Sequence, residues 1–343
     1  MGISIRGSSD SGARAASSST PADPVTAGSL VDYAWLLESV RHDYDRAEEM
    51  YQRAIKADPG YAWGLGSYAR FLQYVRHDYD RAEEMYQRAI KADPNHANNL
   101  GNYALLLKNV RRDYDRAEEM YQRAIEADPN HANSLGGYAV FLENVRRDYD
   151  RAEEMYQRAI EADPNHANSL GGYAVFLENV RRDYDRAEEM YQRAIEADPK
   201  YALVLNNYAL LLKNVRCDYG RAEEMYQRAI EADPANARIL GNYAVFLENV
   251  RGDYDRAEEM YERAIEADPK YAHGLGNYAD FLENVRRDYG RAEEMYQRAI
   301  EADPNHAYSL RKYAHFLQYV RHNYDRAEEM YRRFIEADSD HGQ

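Results

Sequence analysis

Apolar residues recur along this 343-residue chain at helical spacing, and the pattern itself returns every 35 residues. Around residue 155, Ala152, Met155, Tyr156, Ala159 and Ile160 fall at i, i+3, i+4, i+7 and i+8, the stripe of an amphipathic helix. Asp148 stands where that helix needs an N-cap, and Glu154 and Arg158 form an i,i+4 pair on the wet side. In the segment before it, Leu135, Tyr138, Ala139, Phe141, Leu142 and Val145 cover a broader arc, opened by the N-cap and first-turn signal of Asp128 and Pro129. That first helix must be covered on more than one side. Two helices of about four turns cannot bury such faces alone, so neighbouring pairs must stack.

The period is unbroken. Pro59, Pro94, Pro129, Pro164, Pro199, Pro234, Pro269 and Pro304 are 35 residues apart, and Ser339 holds the next slot. Three tyrosine series, Tyr33 to Tyr313, Tyr44 to Tyr324 and Tyr51 to Tyr331, account for 27 of the 33 tyrosines. Residues 129–163 and 164–198 are identical, so the array has grown by copying a unit. Nine such units fill residues 29–343 and leave a tail at 1–28.

In its second helix the unit resembles the tetratricopeptide repeat family, whose small, aromatic, small and closing proline positions read as Ala152, Tyr156, Ala159 and Pro164. Leu135, Tyr138 and Ala139 stand where the family has Trp, Leu and Gly, and one extra residue in the turn makes the unit 35 long rather than 34. The resemblance covers residues 29–343. It implies an all-α, right-handed α-solenoid of nine helix-turn-helix repeats, here with an extended N-terminal tail, and a role in binding proteins or peptides. It also implies that first helices line a concave groove, with contact slots at Asn133, Gly136, Gly137, Val140, Glu143 and Asn144.

Those slots carry the candidate peptide contacts. Asn109, Asn144, Asn179, Asn214, Asn249 and Asn284 make one ladder, and Asn102, Asn207, Asn242 and Asn277 part of another; carboxamides can pair with the N–H and C=O of an extended chain. Gly136, Gly137, Gly171 and Gly172 each cost a helix about 1 kcal/mol relative to Ala, which points to a close backbone approach that offsets the loss. Histidines 96, 131, 166 and 306 share one slot and read as surface turns, because stacked helices hold equivalent atoms about 10 Å apart, too far for one metal. Glu153 and Glu154 recur in every unit and read as a solvated helix face.

Composition narrows the function. Asp and Glu number 60 against 44 Lys and Arg, a formal charge of -16, from which nucleic acid is expected not to be a partner. No apolar run is long enough to span a membrane, so none is expected to be inserted. A single cysteine, Cys217, closes no intrachain disulfide, and no phosphate loop, nucleophile elbow, zinc or calcium motif is present, so neither catalysis nor a cofactor is expected.

Two readings of the interaction remain. In the first, copies join head to tail into a structural filament through uncapped ends, with Leu30, Tyr33, Leu37 and Val40 meeting Met330, Tyr331, Phe334 and Ile335. The tail, expected to be disordered alone, would lie along a groove in its own or a neighbouring solenoid, anchored by Ile3 and Ile5. In the second, a monomeric adaptor holds an extended peptide in the glycine- and asparagine-lined groove.

Overall fold

A computed structural model of the chain describes residues 26–340. Among them eighteen α-helices pair into nine hairpins without a strand, the all-α solenoid of helix-turn-helix repeats. They fall into two compact units that divide between Met120 and Tyr121, within the second helix of the third hairpin, Tyr114–Ala127. Each unit is a stack of hairpins. Thr26 caps the first helix, Ala27–Leu36, by accepting from the backbone N–H of Ser29.

The fourth repeat shows how the unit is built. Its first helix runs Ala132–Phe141 and continues as a π-helical turn, Leu142–Arg146. Arg147 then adopts the left-handed conformation, φ 58°, and its N–H closes on the Leu142 carbonyl. A π turn holds more residues than an α turn, and the thirty-fifth residue is accommodated in this wide junction. Asp148 accepts from the Arg151 N–H and starts the second helix, Tyr149–Ala162. Asp163 accepts from the Asn165 N–H across the turn at Pro164, and the next repeat begins.

Burial follows the predicted stripes. Ala152, Met155, Tyr156 and Ala159 from the second helix and Leu135, Tyr138, Phe141 and Leu142 from the first are all buried. The rings join one repeat to the next, since Tyr156 stacks on Tyr173 at 5.6 Å between centroids and meets Phe176 at 5.7 Å.

Candidate functional site

The faces between repeats must be settled before any ligand surface can be defined. Glu153 is taken up there, and only Glu154 remains on the wet face, near Arg158. Glu153 accepts from the Tyr173 hydroxyl at 2.9 Å and from Arg181 Nε at 2.7 Å, and Arg181 reaches on to Asp150 at 2.7 Å. Arg186 hydrogen-bonds the same hydroxyl and lies over the Tyr173 ring. The reading of both acids as solvated is corrected: Glu153 is an inter-repeat clasp. The fifth and sixth repeats repeat it with Glu188, Tyr208, Arg216 and Arg221.

The glycine slots separate into two kinds. Gly136 and Gly171 are buried against the first helix of the following repeat. A Cβ on Gly136 would stand 2.5 Å from Ser169 Oγ, and one on Gly171 2.6 Å from Val204 Cγ2. The close approach inferred from sequence is real, but the approaching atoms belong to the neighbouring repeat, and these two glycines are corrected from groove contacts to seam contacts. Gly137 and Gly172 stay half-open beside the rings of Tyr121 and Tyr156, 3.1 Å from an added Cβ in both cases.

What is left open is a cleft of about 680 Å³ between the fourth and fifth repeats, lined among others by Val140, Glu143, Asn144, Gly172, Val175 and Asn179. Asn109, Asn144, Asn179, Asn214, Asn249 and Asn284 are all exposed. Asn144 and Asn249 each donate to the carbonyl four residues back, which engages one N–H of each amide. Asn284 does the same and also donates to the Asp280 carboxylate. Asn102, Asn207, Asn242 and Asn277 are half-buried, and Asn207 and Asn242 are tied to each other through the buried Asn206.

Beneath the amides lies a ladder that sequence reasoning missed. In the fourth, fifth, seventh and eighth repeats the buried tyrosine of the second helix donates to the residue thirteen positions earlier: Tyr156 to Glu143 at 2.9 Å, Tyr191 to Glu178 at 2.8 Å, Tyr261 to Glu248 at 2.7 Å and Tyr296 to Glu283 at 2.8 Å. In the second and ninth repeats glutamine accepts instead, Gln73 from Tyr86 and Gln318 from Tyr331, both at 3.1 Å. Burial pushes Glu178, Glu248 and Glu283 above the ordinary carboxyl range, although the tyrosine bond works against it. A raised folded value means a stability contribution that is intact below the ordinary carboxyl pKa and fades as pH rises through the shifted one. Glu178→Gln, which copies the protein's own Gln73 arrangement, is therefore expected to raise the melting point slightly at pH 7.5, by less than about 1 kcal/mol of stability. The gain should vanish near pH 4.5. Thermal melts of parent and variant at both values check the sign, and an equal difference at both would contradict it.

The eighth and ninth repeats hold a smaller cleft of about 410 Å³ around Asp280, Glu283, Asn284, Arg311, Lys312, His315 and Tyr331. Asp280 and Lys312 close an ion pair at 2.7 Å across it. Of the residues expected to meet end to end, Leu30, Leu37 and Met330 are buried, and their assignment to an interface is corrected. Tyr33, Val40 and Ile335 are exposed, while Tyr331 and Phe334 are half-buried. Ile3 and Ile5 lie outside the described residues. The slot histidines close turns: His131, His166 and His306 pair through Nδ1 with Ser134, Ser169 and Ser309, at 2.8, 2.7 and 2.7 Å. No described helix is long and apolar enough to cross a membrane.

Comparison with known proteins agrees with this architecture. A tetratricopeptide repeat model matches residues 72–112, 110–167, 145–202, 180–212, 218–272 and 250–307, and a Sel1 repeat model matches 33–59 and 307–339. No curated protein sequence matches the chain. Among solved structures, a monomeric mutant of IFIT1 with Gppp-AAAA superposes with a TM-score of 0.60 at 14% identity, covering 90% of this chain and 80% of that one. The human IFIT1 dimer with m7Gppp-AAAA gives 0.61 at 16%, covering 91% and 72%, and the human dimer with PPP-AAAA gives 0.58 at 17%, covering 91% and 73%. IFIT1, which shares this fold, is seen with capped or triphosphate RNA, and the expectation that nucleic acid is excluded is corrected on that ground. Net charge is a sum over the whole surface, whereas binding answers to the local field, so the charge of -16 does not by itself exclude nucleic acid.

Proposed function

The chain belongs to the tetratricopeptide repeat family, a fold of protein-interaction scaffolds, and we propose that the groove of its second unit holds an extended polypeptide through backbone contacts without catalysis. The observation that carries this reading is the cleft at Val140, Asn144, Val175 and Asn179. It offers amide groups at one-repeat intervals beside apolar side chains, the pairing that an extended main chain and its side chains require. Panning a random dodecapeptide library against the full chain tests it. Peptides should be enriched, and replacing Asn144, Asn179, Asn214 and Asn249 together by alanine should weaken them about 10- to 100-fold with the helical circular dichroism signal intact. Unchanged affinity in the quadruple variant would leave the ladder as plain surface.

A second reading, self-association into a filament, draws support from exposed apolar side chains in the first and ninth repeats: Trp35, Leu36 and Val40 in one, Tyr319 and Ile335 in the other. Sedimentation over a concentration series separates it from the monomeric adaptor. The same samples titrated with a 5′-triphosphate AAAA oligonucleotide determine whether the scaffold also takes RNA.

A further inference from the structure

The tyrosine–glutamate ladder is broken in the sixth repeat. Tyr226 is wholly buried and its hydroxyl has no hydrogen-bond partner. The position thirteen residues earlier, a glutamate in the fourth, fifth, seventh and eighth repeats, is Lys213. An ammonium is a donor only, so it cannot replace the carboxylate that accepts from this tyrosine elsewhere. Lys213 itself is half-exposed and makes no ion pair or hydrogen bond, so in this repeat the buried donor lacks an acceptor and the slot carries a cation where the fourth, fifth, seventh and eighth repeats carry an anion.

We propose that the Lys213–Tyr226 position receives the carboxylate of one acidic side chain of the polypeptide held in the groove. The inference rests on the groove reading above and adds its anchor residue. Four repeats show that a carboxylate fits over this tyrosine, accepting at 2.7 to 2.9 Å. Burial lowers the Lys213 pKa with no counter-ion to offset it, and an incoming carboxylate would supply one. On either side the same slot holds Glu178 and Glu248, which favour a ligand that is anionic at one residue and neutral or basic a repeat away. A run of phosphates would meet both carboxylates. The half-buried Asn242 already commits one amide N–H to Asn206 at 2.9 Å, whereas the Tyr226 hydroxyl has no partner.

The test uses the full chain and its Lys213→Glu variant, which restores the repeat pattern. Both are panned with the random dodecapeptide library. The parent should enrich peptides with one Asp or Glu at a fixed place, and changing that residue to Gln or Asn should weaken binding about tenfold. Lys213→Glu should lose the acidic preference and bind the Gln peptide as the parent does. It should also melt higher, because the Tyr226 hydroxyl regains an acceptor. Tyr226→Phe gives a second check: its melting point should not fall, since no bond is lost and an unsatisfied buried hydroxyl is removed, while the acidic preference shrinks. Enriched peptides without an acidic position, or with one that Lys213→Glu leaves untouched, overturn the anchor but not the groove. No enrichment by either protein overturns the groove reading and the anchor with it. Binding of the 5′-triphosphate AAAA oligonucleotide that Lys213→Glu abolishes would place a phosphate there and also overturn the proposal.

Discussion

Replacing Glu188 by alanine is expected to destabilise the packing of the fifth repeat on the sixth by about 3 kcal/mol, because it leaves two arginines and a tyrosine facing an empty place. Glu188 Oε1 accepts from the Tyr208 hydroxyl at 2.9 Å and from Arg221 at 3.2 Å, and Oε2 accepts from Arg216 Nε at 2.8 Å. Its side chain is only 18% exposed, whereas Glu154, at the wet position next to the clasp in the fourth repeat, is 61% exposed. Alanine at Glu189, the equivalent wet position of the fifth repeat, should change stability by less than about 0.5 kcal/mol. Burial works to raise the Glu188 pKa, but the bonds from Tyr208 and Arg216 outweigh it and hold the carboxyl below the ordinary range. A depressed folded value means stability that is present above the ordinary carboxyl pKa and is lost as pH falls through the shifted one. In a repeat array the loss is local, so hydrogen exchange is the suitable measurement. Amides of residues 202–232 should lose protection in Glu188→Ala and keep it in Glu189→Ala. Equal protection in the two variants would show that the clasp adds nothing.

The second large effect concerns the seam. Gly171→Val would drive its branch point into Val204, which an added Cβ already approaches to 2.6 Å, and should cost about 1–3 kcal/mol. The chain contains the reverse pairing in its first unit, where Val31 faces Gly64 and a Cβ on that glycine would stand 3.2 Å from Val31 Cγ2. Gly171→Val combined with Val204→Gly should therefore be less damaging than the two changes summed, by about 1–2 kcal/mol. Urea unfolding of the two single variants and the double variant measures the coupling. Strictly additive losses would mean that the two positions do not sense each other.

Why some of this was legible in the sequence and some was not follows from what periodicity encodes. Spacings of three and four reveal which side of a helix is buried, and Tyr156, Met155 and Leu135 were placed correctly on that ground. Periodicity is silent about what covers a face. Glu153 and Glu154 are adjacent acids in an acidic helix, and only the arrival of Arg181 and Tyr173 from the next repeat distinguishes them. Glycine in a helix did signal close approach, but a ligand and a neighbouring helix leave the same mark on a sequence; Gly171 answers to Val204. Leu37 and Met330 looked like end surface because their helices open and close the array, yet both are buried. The tyrosine–glutamate ladder had a signal, a fixed separation of thirteen residues. It crosses the junction between helices, where helical periodicity offers no guide.

The π turn bears on how this groove can be moved into other proteins. In each of the first eight repeats the first helix closes through five π-helical residues, and Glu143 and Asn144 sit within that turn in the fourth repeat. Each residue of an ordinary helix advances the side-chain direction by about 100°, so one residue more or fewer in the turn sets everything after it out of phase. Matching this unit position by position to a 34-residue relative would therefore turn the second helix, and with it the Tyr156 hydroxyl that reaches back to Glu143, out of phase with the first. The groove chemistry is portable only as a whole 35-residue cassette, junction included.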